Sequence, residues 1–146
     1  MQDAFGGILN ITIVAVFMIL VSGILAMTVN YTRAFRMKNY VISTIEQYEG
    51  SGCGCNDNNS GSIGSSCRKK IEEHAKSLGY SPKNITCNAN QKAVDGFFCC
   101  EMKKSGKEAV YSVSTQIDID FPIINRIMSA PFFRVTGDTR SVRTNY

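Results

Sequence analysis

From Ala4 to Thr32 the chain carries no charged residue, and Arg33, Arg36 and Lys38 then follow within six positions. The run from Ile8 to Val29 is apolar apart from Asn10, Thr12, Ser22 and Thr28. At about 1.5 Å per residue it makes a helix of roughly 33 Å, the thickness of a hydrocarbon core of about 30 Å. A helix apolar on every face needs an apolar environment on every face. The remaining residues, rich in Gly, Ser, Asn and Lys, are too few and too polar to wrap it. A removable export signal is a poor fit, because it needs a basic start and a shorter apolar stretch. Only Asp3 is charged before the run. Residues 1–32 are therefore expected to be a transmembrane or filament-core helix.

The pattern changes after Asn30 but the helix is expected to continue. No Pro or Gly occurs before Glu49, and Tyr31, Phe35, Val41, Ile42, Ile45 and Tyr48 fall roughly on one stripe. Residues 33–49 are expected to form the amphipathic half of the same helix, about 70 Å long in all. Gly50, Gly52 and Gly54 end it.

Residues 50–146 are expected to form a small α+β domain packed on that half-helix. "SGCGCNDNNSGSIGSS" is a polar loop. "SSCRKKIEEHAKSLGY" reads as a short helix, with Ser65 or Ser66 as N-cap and Gly79 just past its end. "KNITCNA" is a candidate short strand. "DGFFCCEMKK" and "EAVYSVSTQIDIDF" are two longer strands joined by the turn signal "KSGKE". In the second, Val113, Thr115, Ile117 and Ile119 alternate with Ser112, Ser114, Gln116, Asp118 and Asp120, predicting one buried face and one wet face. Pro122 ends it, and a last strand begins after Pro131.

Six cysteines, Cys53, Cys55, Cys67, Cys87, Cys99 and Cys100, all follow the apolar run. An even number in a small loop-rich domain points to disulfides, which stabilise what a small core cannot. Fifteen pairings are open. Cys99 and Cys100 are neighbours on a strand and face opposite ways, so they take different partners. Cys53 and Cys55 flank a single Gly and are also expected to pair separately. The competing reading is zinc held by thiolates, but C-x-C and C-C spacings are not the usual C-x(2–4)-C knuckle. The one histidine, His74, lies on a charged helix and reads as a surface residue.

Orientation is contested. Arg33, Arg36 and Lys38 would hold the C-terminal domain in the cytoplasm by the positive-inside rule. The cysteines place it outside, and they decide the matter, since an assembly machine or folded partner can override charge bias.

A net charge of +4 with no basic run carrying aromatics gives no case for nucleic acid. One histidine, no GxSxG, no phosphate loop and no paired carboxylates in an apolar setting argue against an enzyme, and no cofactor or metal is expected. Asp118 and Asp120 share a strand face but read as solvated. "NNS" at Asn58 and "NIT" at Asn84 match a glycosylation sequon, a pattern common by chance.

An apolar N-terminal helix that continues as an amphipathic stalk into a small antiparallel sheet resembles type IV pilins and pseudopilins. The stretch from Ile8 to about Ile45, with "NYTRAFRMKN" after the span, is most similar to the minor pseudopilins of tight-adherence pili. The resemblance covers about the first 48 residues and is architectural beyond them. It implies a structural subunit of an extracellular filament or of its assembly system. The partners would be copies of the chain or related pilin-like subunits, with the membrane holding the helix before assembly. Two features depart from the family: no basic leader ending in Gly stands before the span, unless the chain is in its mature form, and no Glu lies a few residues in. In the family that Glu is thought to pair with a neighbour's N-terminal amine. Asp3, the only nearby carboxylate, could do the same although its position does not match, the alternative being that it marks the water-facing end of an anchor. Gly23 and Ala26 are expected to be subunit-packing positions, together with Asp3 and the basic residues Arg33, Arg36 and Lys38. The alternatives are a monomeric single-pass protein with an exported, disulfide-stapled binding domain, and a cytoplasmic-facing thiol or metal sensor.

Overall fold

The computed structural model describes residues 2–55, 66–82, 85–118 and 132–143, with the side chains of 2–6, 118 and 132 excluded. A helix, α1 (Gln2–Gln47), is followed by a shorter one, α2 (Ser66–Leu78). Five strands come next: β1 (Lys92–Val94), β2 (Phe98–Ser105), β3 (Glu108–Asp118), β4 (Phe132–Asp138) and β5 (Val142–Arg143). They form one antiparallel sheet in the order β1-β2-β3-β4, with β5 beside the start of β3. The fold is α+β, as expected.

The 46 residues of α1 run without a break for roughly 70 Å. The helix ends where Glu49 and Gly50 turn left-handed and the Gly50 amide reaches back to the Ile45 carbonyl at 2.9 Å. Glycine is needed here twice over. Its φ is +73°, and a Cβ would stand 2.0 Å from the Tyr111 hydroxyl.

The buried stripe on the stalk is Ala34, Met37, Val41 and Ile45. Val41 and Ile45 were expected there, and Ile42 and Tyr48 pack at its edge. Tyr31 and Phe35 do not belong to it: they stay about half exposed and stack on each other with centroids 6.3 Å apart. Small Ala34 and flexible Met37 take the face against the sheet instead. The Thr115 hydroxyl donates to the Ala34 carbonyl at 3.1 Å, fixing β3 on the stalk. Gly137 lets β4 approach, since a Cβ there would meet Ile42 at 2.9 Å.

On α2, Cys67, Ile71 and Ala75 are buried and Gly79 ends the helix as expected. Ser65 lies outside the described residues. His74 is half-buried, its ring stacked on Tyr40 at 3.6 Å, so it is not the free surface residue expected.

Two strand expectations are corrected. The described part of "KNITCNA" is not a strand; the first strand is Lys92–Val94, paired with β2 across an Asp95-Gly96 turn. The supposedly wet face of β3 is covered too. Ser114 and Gln116 are as buried as Val113, Thr115 and Ile117. The described residues between Tyr80 and Gln91 lie over them. They are held by the Ser114 hydroxyl donating to Gln91 Oε1 at 2.8 Å and the Thr86 amide donating to Gln116 Oε1 at 3.0 Å. These side chains are polar because their covering is a loop with groups to satisfy. Ile119, Asp120, Pro122 and Pro131 lie outside the described residues, as do Asn58, Asn84 and the Asp118 side chain.

Candidate functional site

Three disulfides clamp the head: Cys53–Cys67, Cys55–Cys100 and Cys87–Cys99. No cysteine is left free, so no thiolate remains for zinc. In the β2–β3 register Cys100 opposes Val113 and Cys99 opposes Ser114. Cys100 therefore shares the α1 face, where it holds the chain leaving the stalk. Cys99 shares the far face, where it holds the covering loop. Cys53 and Cys55 take separate partners: one ties the post-stalk turn to α2 and the other to the sheet.

The stapled head leaves the first half of α1 bare. Ile8, Ile11, Phe17, Met18, Ile24 and Leu25 are each more than 60% exposed. One stretch of α1 within Gly7–Gln47 is long and apolar enough to cross a membrane, and no residue of its most apolar window is buried. The polar side chains in it are satisfied by the helix itself. Thr12 donates to the Ile8 carbonyl at 2.8 Å, Ser22 to Ile19 at 2.9 Å and Thr28 to Ile24 at 2.8 Å. Such back-bonding removes free hydroxyls from a surface meant for an apolar medium. By length, composition and exposure the helix fits a membrane anchor. The disulfides fit a head domain in an oxidising, extracytoplasmic compartment.

The structure places the other expected packing residues along this helix without bringing them together. Asp3 is in the first turn, and its side chain lies outside the described residues. Gly23 is half-buried and Ala26 exposed, three residues apart in the bare half. Arg33 and Arg36 are exposed just past the span. Lys38 differs. It is half-buried, its stem lies beside Gly137, and its ammonium sits 4.5 Å from the Phe35 ring centroid. Lys38 is thus partly committed to the stalk–sheet contact. Some 45 Å of helix separate Asp3 from Arg33, so only another molecule could bring such groups together.

Beyond the span, α2 runs back along α1, with Lys70 near Tyr48 and His74 on Tyr40. Its last turn therefore reaches the membrane-proximal end of the stalk. A groove of about 340 Å³ opens there, with Thr28, Thr32, Arg33 and Arg36 on one wall and Ser77 and Leu78 on the other. This groove was not legible in the sequence, because it depends on the direction of α2. The Tyr31–Phe35 pair borders the same level. Its i, i+4 spacing was visible, but its exposure was not.

Comparison with protein-family models, curated proteins and solved structures finds no match to this chain.

Proposed function

We propose that the chain is a pilin-like structural subunit, or a pseudopilin of a filament assembly system. Its bare helix is held in the membrane before assembly and packed among copies of itself or related subunits afterwards. The observation that carries this reading is the continuity of α1. One unbroken helix is bare and apolar from about Gly7 to Val29 and is the core of the head from Ala34 to Ile45. A simple tether needs no such rigid join, because any linker would hold a domain near a membrane. A filament does, since the join transmits the packing of the helices to the spacing of the heads. The function is structural rather than catalytic, and the stapled head faces the cell exterior.

Immunogold electron microscopy of material sheared from cells, with antibody against the head, tests the proposal. Labelled filaments are expected. Label confined to membrane fragments would favour a monomeric single-pass protein with an exported binding domain.

A further inference from the structure

We infer that the groove between α1 and the end of α2 binds the phosphate of an anionic phospholipid on the head's side of the membrane. The inference rests on reading α1 as a membrane span.

Depth is the first support. If residues 8–29 fill the hydrocarbon, the headgroup layer extends a further 5–8 Å or so, about the next five residues. Arg33, about 6 Å past Val29, then lies within the headgroup layer. Arg36, about 10 Å past it, stands just beyond, its Cα–Cβ bond tilted back toward the membrane and its long side chain able to reach the layer. The groove opens at Thr28 and Val29, the last turn of the apolar span, and ends at Arg36. A lipid seated in it has its upper acyl chain beside Val29 and its phosphate between the two guanidinium groups.

The donors are the second support. Hydroxyls in the groove are already engaged. Thr28 donates to the Ile24 carbonyl and Thr32 to the Thr28 carbonyl, both at 2.8 Å, and Ser77 donates to the His74 carbonyl at 2.8 Å. Neither Arg33 nor Arg36 has an ion-pair partner among the described residues. The groove's open donors are therefore two cations, three residues apart on one helix, which repel each other until an anion sits between them. Arginine's planar fork suits a phosphate. Arg33 also lines a smaller cleft of about 90 Å³ beside Tyr80 and Pro82, so it stands between the groove and the chain that follows α2. The head thus supplies the second wall that an isolated helix would lack.

The full chain in detergent micelles, offered equal amounts of phosphatidylglycerol and phosphatidylcholine and examined by native mass spectrometry, tests this. Phosphatidylglycerol should be retained in preference, by about fivefold for each arginine engaged. The double variant R33Q/R36Q should lose the preference, whereas K103Q/K104Q, which removes two exposed charges on β2, should keep it. Equal retention of both lipids, or a preference that survives R33Q/R36Q, overturns the groove as a site. Displacement of the lipid by millimolar glycerol phosphate would assign the groove to soluble phosphate and overturn the lipid. Flotation of the same chain with phosphatidylcholine vesicles separates the two levels. A chain that floats but shows no preference contradicts the groove alone, and one that does not float contradicts the membrane span and the groove together.

Discussion

The Tyr80 hydroxyl donates to the Gln116 carbonyl at 2.8 Å and accepts from the Gln116 amide at 3.0 Å. β2 stops pairing with β3 at the Cys99–Ser114 rung, so Gln116 has no β2 residue opposite it. One phenol replaces the missing strand and satisfies both backbone groups at a buried position. Tyr80→Phe keeps the ring and strips both groups of their partner. Each unsatisfied buried group costs about 1–3 kcal/mol, so a loss of about 2–4 kcal/mol in urea unfolding is expected. A change under about 0.5 kcal/mol would mean that water replaces the phenol freely.

The staples should differ in strength by the length of chain they close. Cys55–Cys100 spans 45 residues and Cys87–Cys99 spans 12. In the chain-entropy model these give about 4 and about 3 kcal/mol. Paired serine variants, unfolded in denaturant, should rank in that order. Thiol alkylation of the native protein without reductant should label none of the six cysteines.

His74 should make the head less stable in mild acid. Desolvation against Tyr40 lowers its pKa below the ordinary 6.5. The unfolded chain, with the ordinary value, takes up its proton first. Stability is therefore full above about pH 6.5 and falls as the pH drops from there through the lowered folded value. The chain has one histidine, so a single imidazole proton resonance reports the folded titration directly. A midpoint at or above the unfolded value would contradict the desolvation. The pH dependence in this window should vanish in His74→Gln.

The stalk shows why some of this was legible and some was not. A run of 22 residues with no charge and only four polar side chains is conspicuous because nothing in a chain of this size could bury it. The opposed partners of Cys99 and Cys100 follow from the two-residue period of a strand. The stalk's buried stripe was misjudged at Tyr31 and Phe35 because apolar character does not reveal which flank meets the sheet. Rotation is decided by close packing, and there Ala34 and Gly137 outrank aromatic rings. Ser114 and Gln116 looked wet because they are polar. Their burial depends on a loop pinned by Cys87–Cys99, a contact no local pattern announces. The groove beside Arg33 and Arg36 depends on two helices meeting and was equally hidden.

Two substitutions separate anchoring from assembly. Gly23→Leu keeps the span apolar and should leave membrane insertion intact, while its bulk impairs polymer formation if this face packs against neighbours. Asp3→Ala should likewise leave the chain in the membrane but lower polymer yield. A carboxylate carried into a dry filament core needs a partner, and an unpaired one costs several kcal/mol. Normal yields from both variants would remove these residues from the subunit contact.

Helical reconstruction by cryo-electron microscopy of filaments sheared from cells producing the chain addresses the subunit reading most directly. The account predicts a filament whose core is built from helices matching Gly7–Val29, with the stapled heads outside and α1 unbroken between them. Recovery of the chain only as a detergent-soluble monomer from membranes, with no copy in any filament, would contradict it.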